Sequence, residues 1–323
     1  MNDIFTRVDS VTALPQVLEQ IAVAYGLGAI ATSSPILTGY QDCNIDLSAA
    51  NGRFIIKIFA SDKTKERIDD VITGYTTLRK NGVPVPVIKT TLDGRTLWET
   101  PGNQHTSYAC VFEYFEGKPF TKTQPTDHDI ASLTTMLANI HNTKHLTPHY
   151  YDTMGIVNLP GEYKLKSGAL SAEELSKISP VVSQFQRIPV ATFPKTLIHG
   201  TPEKENVLKN ANGELCLLDL GCMDYNAAIL DIATLIANFA LYVTEEKRKQ
   251  FIHLILDTYN NTRQITPAER AALPSLIRAQ YAAYVIAMTY HMRKNHDMTK
   301  QTQVWLDRGW DGLQAFTHVR KLV

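Results

Sequence analysis

The residues most able to do chemistry lie between positions 197 and 221. His199-Gly200 is followed after five residues by Asn206, and after a further twelve residues by Asp219-Leu220-Gly221. This spacing predicts an asparagine in one loop close to an aspartate at the end of the next strand. Mg²⁺ in proteins is held by carboxylate or amide oxygens together with substrate phosphates. The pair therefore predicts a metal clamp of the kind that neutralises charge in phosphoryl transfer. The alternative is a hairpin with a capping asparagine and a turn aspartate.

The sequence before residue 116 predicts a small, mostly antiparallel sheet with one inserted helix. Helical spacing of apolar residues covers 14–26 and 63–81, and Gly82 with Pro84 ends the second helix. Strand-like segments lie around 36–37 and at 43–48, in RFIIKIF after Asn51-Gly52, and in RTLWET and YACVFEYF. The chain up to residue 115 is thus predicted to form a first domain.

The remainder, 116–323, is predicted to be mainly helical. KPFTKTQPTDHD indicates a linker, helices are expected at 128–142 and 171–187, and 197–221 indicates three short strands. From Asp231 the pattern is helical almost to the end, with breaks near Thr266-Pro267 and Asn295-His296. The aromatic residues of this part are expected to pack helices, or in some cases to line a substrate pocket.

Composition excludes several classes of function. The 323 residues contain 32 Lys or Arg and 32 Asp or Glu, so the chain is neutral and lacks the basic excess of a nucleic-acid binder. No apolar run reaches the roughly 18 residues of a membrane helix, and the first residues show no signal-peptide core. The four scattered cysteines favour the cytoplasm. Neither a G-x-S-x-G hydrolase motif nor a P-loop occurs, and the histidines form no zinc pattern. The oligomeric state cannot be read from the sequence.

With these motifs the chain resembles the aminoglycoside phosphotransferase and choline kinase-like superfamily, whose signature is H-G-D-x4-N followed by an Asp metal motif. Further matching segments span most of the chain: Lys57 in FIIKIF, then GVPVP, FEYFEGKPF, LANIHN and LDIATLIANF. Within that superfamily it looks most similar to the type II homoserine kinase branch, through AYGLG and the turn from Gly39 to Asn44. The resemblance implies an α+β, two-lobed protein-kinase-like fold, with a small antiparallel-sheet N-lobe and a mainly helical C-lobe.

The resemblance also implies ATP and Mg²⁺ as cofactors and a small-molecule hydroxyl as the phosphate acceptor. Lys57 would contact the α- and β-phosphates, Gly39 would belong to the loop over them, and Glu113 to Phe115 would offer backbone groups to adenine. Asn206 and Asp219 would hold the metal, and Asp231 would have a structural role. The alternative for Lys57 is an edge-strand lysine in solvent.

The family's helix glutamate, which would pair with Lys57, should fall near Val71 or Ile72, and neither can serve. Glu66 and Asp70 lie one helical turn apart and are the two candidates to replace it.

One position departs from the family pattern. Thr201 stands where the family has its catalytic aspartate, the group that orients or accepts the proton of the attacking hydroxyl. Threonine is not a base at neutral pH, although its hydroxyl can hydrogen-bond a substrate. His199 is expected to support the loop by hydrogen bonds. Glu203 and Glu205 alternate along the loop and are expected to be exposed; the alternative is that one of them reaches the attacking hydroxyl.

Three explanations of Thr201 stay open: an active kinase that depends on positioning, a nucleotide-binding protein without catalysis in a regulatory or scaffold role, and an inactivated variant. Asp231 follows Asp219 by only twelve residues, which leaves no room for a protein-kinase activation segment. A small acceptor is therefore favoured: an amino alcohol, an amino acid, an aminoglycoside or a sugar.

Overall fold

A computed structural model describes residues 13–37, 39, 41–102 and 106–317. Within them the chain forms two compact units. The first runs to Lys80 and resumes over Pro84–Glu116, and the second comprises Asn81–Val83 and the chain from Gly117 onward. No helix in the described part is long and apolar enough to cross a membrane. The four cysteines are free thiols, three of them buried.

The first unit is built on a five-stranded antiparallel sheet in the order β1-β2-β3-β5-β4. Its strands are β1 (Ile30–Ile36), β2 (Cys43–Ala49), β3 (Gly52–Ile58), β4 (Trp98–Pro101) and β5 (Thr106–Glu113). Alternation of side chains along β2 and β3 directs Ile45, Leu47 and Ile56 into one apolar core. Helix α1 (Leu14–Ala24) contributes Leu18 and Ile21 to the same core. The sheet thus has β3, the strand of Lys57, at its centre.

Helix α2 (Lys65–Lys80) is the helix inserted after β3. Its apolar residues Ile68, Ile72, Tyr75 and Leu78 are buried, as their helical spacing predicts. The helix stops before Gly82, which adopts a positive φ of 75°, and Pro84 then prevents its continuation.

The second unit is mainly helical. Its helices are α3 (Asp127–His141), α4 (Leu159–Lys166), α5 (Ala172–Phe185), α6 (Ile229–Phe239), α7 (Glu245–Asn260), α8 (Pro267–Lys294) and α9 (Lys300–Ala315). The expected breaks before Pro267 and near Asn295 are present. A further break between α6 and α7 was not predicted: Thr244 caps α7 by accepting a hydrogen bond from the Lys247 N–H. The predicted α+β class is confirmed.

Short strands hold the candidate site in this unit. They are β6 (Lys118–Pro119), β7 (Lys195–Ile198), β8 (Val207–Lys209), β9 (Leu215–Leu217) and β10 (Asp224–Ala227). Strand β8 pairs with β9 and with β6, and β7 pairs with β10. The loop that follows β7 carries Thr201, and the hairpin of β8 and β9 carries Asn206 at one end and Asp219 at the other. We call residues 199–206 the catalytic loop below.

Candidate active site

The start of the catalytic loop is anchored to helix α6 through Asp231. One carboxylate oxygen of Asp231 accepts the His199 N–H at 2.8 Å, and the other accepts the Gly200 N–H at 2.9 Å. His141 of α3 also donates to Asp231 from Nε2 at 3.0 Å, while the Tyr259 hydroxyl lies 2.6 Å from His141 Nδ1. Burial alone would raise the pKa of Asp231, but these hydrogen bonds hold its pKa below the ordinary value. Asp231 is therefore an ionised anchor, the structural role that the resemblance implied.

His199 is fully buried and supports the loop on its other side. Its Nε2 lies 2.9 Å from the Leu218 carbonyl oxygen, and its Nδ1 accepts the Thr201 N–H at 3.3 Å. Burial lowers the pKa of His199, which favours the neutral ring with Nε2 as the donor. Both ring nitrogens are engaged, so this geometry supports the loop-holding role expected for His199 over a role in proton transfer.

Gly200 brings the catalytic loop against the segment that follows Asp219. Its φ is 89°, a conformation that favours glycine, and a Cβ atom at this position would overlap the carbonyl oxygen of Cys222. The absence of a side chain at Gly200 thus lets the two candidate loops touch through their backbones.

Asn206 is held through its side-chain amide nitrogen. Its Nδ2 donates to the Thr201 carbonyl oxygen at 3.0 Å and lies 3.3 Å from Thr201 Oγ1. Because both contacts use the nitrogen, the Oδ1 atom is turned away from them. The backbone oxygen of Asn206 accepts the Leu218 N–H at 2.7 Å, which places the residue directly beside the strand end that precedes Asp219.

Asp219 occupies an unusual backbone conformation at that strand end. Its φ of 58° and ψ of 79° are left-handed, and one carboxylate oxygen accepts the Gly221 N–H at 3.1 Å. No three His, Cys, Asp or Glu side chains in the described ranges gather in a way that could hold a metal ion. A cation here would therefore rely on Asn206, Asp219 and oxygens from outside the protein. That sparse oxygen set fits Mg²⁺, which keeps waters and phosphate oxygens in its shell.

Glu203 and Glu205 are not the exposed residues that their alternation suggested. Glu203 is 6% exposed and accepts the Tyr284 hydroxyl at 2.7 Å. Burial, reinforced by the neighbouring charge of Glu205, raises the pKa of Glu203 to about 8. Glu205 receives two hydrogen bonds from Arg308. The expectation was wrong because the short 3₁₀ turn Lys204–Asn206 breaks the alternation and the helices α8 and α9 cover the loop.

Lys57 lies on the central strand β3, paired with Asn44 on one side and Cys110 on the other. It is 5% exposed, which excludes the alternative of an edge-strand lysine in solvent. Its Nζ lies 3.0 Å from a carboxylate oxygen of Asp42, which also receives Lys63 at 2.8 Å and the Ala60 N–H at 3.0 Å. Lys57 thus pairs with a carboxylate from the loop before β2. The sequence reasoning did not identify this partner.

The two helix carboxylates proposed for Lys57 have different surroundings. Glu66 is exposed on α2. Asp70 accepts a hydrogen bond from Arg67 at 3.1 Å and is half-buried. Of the two, only Asp70 is shielded from water, and it forms an ion pair with Arg67.

The other predicted nucleotide contacts are backbone positions. The Glu113 N–H donates to the Val87 oxygen at 2.9 Å, and the Tyr114 N–H donates to the Arg53 oxygen at 3.2 Å. Phe115, half-buried, follows the end of β5. Gly39 has a φ of 103° and open space around its Cα. Its neighbours Thr38 and Tyr40 lie outside the described residues.

The sequence reasoning gave no role to Asp42 and Arg308, expected Glu203 and Glu205 to be exposed, and treated Tyr284 only as one of the aromatic residues of the helical part. Asp42 and the two glutamates stand beside motif residues, so proximity to a motif was the available signal for them. Tyr284 and Arg308 lie more than 75 residues beyond the catalytic loop and carry no local signal.

Comparison with known proteins adds three findings. A model of the phosphotransferase enzyme family matches residues 32–273. A homoserine kinase of Methylobacillus flagellatus is 23% identical over 287 residues, covering 87% of this chain and 84% of the relative. Two solved structures share the fold. A microcompartment-associated aminopropanol kinase has a TM-score of 0.71 at 14% identity, covering 94% of this chain and 97% of its own. A spectinomycin phosphotransferase has a TM-score of 0.72 at 13% identity, covering 96% and 99%.

Proposed function

The chain belongs to the phosphotransferase enzyme family, and from this premise we propose that it is an ATP-dependent kinase of a small molecule. Membership confirms the resemblance that the motifs of residues 197–221 indicated. The proposed reaction moves the γ-phosphate of ATP to a hydroxyl group. The acceptor would be an amino alcohol, an amino acid, an aminoglycoside or a sugar. The proposed location is the cytoplasm.

The observation that carries the proposal is the pairing of Asn206 with the strand end before Asp219. The Asn206 amide nitrogen donates to the Thr201 carbonyl oxygen, so the amide oxygen lies on the side of the amide away from Thr201. Asp219 follows a residue that is hydrogen-bonded to the Asn206 backbone. These two side chains would hold Mg²⁺, which when bound to ATP supplies neutralisation of phosphate charge.

The burial of Lys57 supports a role for this lysine in nucleotide binding. A lysine on the central strand of a sheet loses hydration, so it requires anionic partners. Asp42 supplies one such partner. Triphosphate oxygens would supply further negative charge when ATP is bound. Gly39 would leave the chain close to these phosphates, and Glu113 and Phe115 would flank adenine.

Thr201 would contact the acceptor hydroxyl without deprotonating it. Phosphoryl transfer passes through a loose transition state, so catalysis depends chiefly on positioning and electrostatic stabilisation. The Thr201 hydroxyl accepts a hydrogen bond from Asn206 at 3.3 Å, and the Thr201 backbone N–H donates to His199. It can therefore orient a hydroxyl group by a hydrogen bond. The expected rate is lower than with a carboxylate at this position.

The test is ADP formation by the purified full-length chain with ATP, Mg²⁺ and a panel of acceptors. The panel begins with homoserine, aminopropanol and spectinomycin, after which the relatives are named, and continues with other amino alcohols and sugars. Acceptor-dependent ADP formation is expected, and Asp219→Asn should abolish it. ATP binding without turnover across the panel would refute the kinase and favour a nucleotide-binding role. A melting temperature unchanged by ATP and Mg²⁺ would refute both.

A further inference from the structure

The part of the catalytic loop after Gly200 is not held by Asp231. Asp231 holds His199 and Gly200, whereas the candidate ligands Thr201 and Asn206 come later in the loop. Between them the loop bonds to itself through Glu203 N–H to the Thr201 oxygen at 2.8 Å and Asn206 N–H to the Glu203 oxygen at 3.0 Å. The backbone of this part of the loop is also held from outside, by the Leu218 N–H on the Asn206 oxygen and by the Phe120 N–H on the Lys204 oxygen. The carboxylates of Glu203 and Glu205 add side-chain contacts to more distant helices.

Arg308, in the last helix α9, supplies such a contact. Its guanidinium donates to both carboxylate oxygens of Glu205, at 2.6 Å and 3.1 Å. This fork-like arrangement constrains angle as well as distance. The Arg308 side chain is 6% exposed and that of Glu205 is 28% exposed, so water screens the pair only in part. Arg308 also lies over the Trp305 ring, 4.0 Å from its centre.

Arg308 also reaches the loop indirectly, through Asn238 and Tyr284. Arg308 donates to the Asn238 side-chain oxygen at 2.9 Å, and the Asn238 amide nitrogen donates to the Tyr284 hydroxyl at 3.1 Å. Tyr284 in turn donates to Glu203 at 2.7 Å. Helices α6, α8 and α9 therefore converge on two glutamates of the loop through one continuous chain of hydrogen bonds.

We propose that Arg308 is a positioning residue that sets the direction of the catalytic loop, and with it of Thr201 and Asn206, through Glu205 and the Asn238–Tyr284–Glu203 contacts. The proposal rests on the proposed kinase function for its effect on rate. Its effect on the loop itself does not require any acceptor. Arg308 acts through other residues and does not touch the reacting groups.

The expected effect follows from how strongly phosphoryl transfer depends on alignment. A misplacement of about 1 Å can lower a rate about 10²-fold. We expect Arg308→Met to lower kcat about 10²-fold, while the KM for ATP rises by a smaller factor, because Asp219 and Lys57 are not part of the loop and still bind the nucleotide. Arg308→Lys should remain impaired, since a lysine keeps the charge and loses the fork.

A matched control is available in Arg293 of α8. Arg293 also donates two hydrogen bonds to one carboxylate, that of Glu174, at 2.6 Å and 2.9 Å. It contacts no residue of the catalytic loop among its described bonds. Arg293→Met therefore removes a carboxylate pair of the same fork-like geometry from a more exposed site, where the arginine side chain is 47% exposed, and kcat should stay within about twofold of wild type.

The deciding measurement is amide hydrogen exchange of the peptide covering 199–210, followed by mass spectrometry on the full-length chain. Arg308→Met should speed exchange in this peptide at least tenfold at a temperature where the global fold is intact, whereas Arg293→Met should not. Glu205→Gln tests the same contact if Arg308→Met does not fold, because Glu205 is partly exposed. Combining Glu205→Gln with Arg308→Met should slow catalysis no further than Arg308→Met alone.

Unchanged exchange of this peptide in a folded Arg308→Met or Glu205→Gln variant would overturn the proposal, with or without a known acceptor. So would equal losses of kcat in Arg308→Met and Arg293→Met. If wild type transfers no phosphate to any acceptor, the kinase function fails, and the exchange result still decides the positioning role.

Discussion

Replacing Thr201 by aspartate is the sharpest test of how the site works. The substitution restores a carboxylate where the family pattern has one and lengthens the side chain by one heavy atom, at nearly the same volume. Asn206 Nδ2, now 3.3 Å from Thr201 Oγ1, would donate to the new carboxylate. The backbone should hold its place, because the Thr201 N–H and carbonyl oxygen are both hydrogen-bonded.

The magnitude can be worked from the surroundings of Thr201. A positioned general base contributes about 10²–10⁴-fold in rate, which is about 3–5 kcal/mol of activation free energy at about 1.4 kcal/mol per tenfold. Glu205 and Asp219 already place carboxylates around this loop, while Glu203, with a pKa of about 8, keeps its proton at neutral pH. A further negative charge is disfavoured there, so we expect the lower end, a gain in kcat of about 10²-fold.

The assay compares Thr201→Asp with Thr201→Asn under identical ATP, Mg²⁺ and acceptor concentrations. The asparagine side chain has the same shape and no charge, so it should stay near the wild-type rate. Melting temperatures with and without ATP verify that both variants fold and bind nucleotide. Equal rates for the two variants would refute the reasoning, because the missing carboxylate would then not limit catalysis.

Three predictions concern stability, each measured by urea unfolding. Asp42→Asn should lower the free energy of unfolding by about 3 kcal/mol, because it removes the anion from buried Lys57 and Lys63. Gly200→Ala should lower it by about 3 kcal/mol, through backbone strain and the overlap with Cys222. Glu203→Gln should become more stabilising as pH rises. Native Glu203, with a pKa of about 8, keeps its proton while the unfolded chain, with the ordinary value of 4.5, has lost it. Wild type therefore loses stability between these pH values, so the advantage of glutamine should grow by about 2 kcal/mol from pH 6 to pH 8.

Each of these predictions has a clear contrary result. A wild-type urea midpoint for Asp42→Asn would show that other groups already balance both lysines. A Gly200→Ala variant as stable as wild type would show that the two loops can separate without cost. A stability difference between Glu203→Gln and wild type that is constant from pH 6 to pH 8 would show that Glu203 is ionised in the folded chain.

Local sequence patterns were sufficient to predict most of the helices and strands. The burial of Ile68, Ile72, Tyr75 and Leu78 on α2 follows from helical spacing, and the end of that helix follows from Gly82 and Pro84. The break before α7 was missed because an N-cap such as Thr244 is one residue and the apolar pattern on either side is helical. The alternation of Glu203 and Glu205 wrongly indicated exposure for a related reason. A single 3₁₀ turn changes the directions of the side chains, so residues two apart no longer point the same way.

The sequence by itself determined the α+β class, the family, and the order of Lys57, His199, Asn206 and Asp219 along the chain. These follow from spacing and side-chain type, which are properties of short segments. Only the tertiary structure decided which polar side chains meet: Asp42 beside Lys57, Arg308 on Glu205, and Tyr284 on Glu203. The physical reason is that a buried charge takes whichever partner the packing of distant elements brings within about 3 Å, and that distance is not encoded in any local pattern.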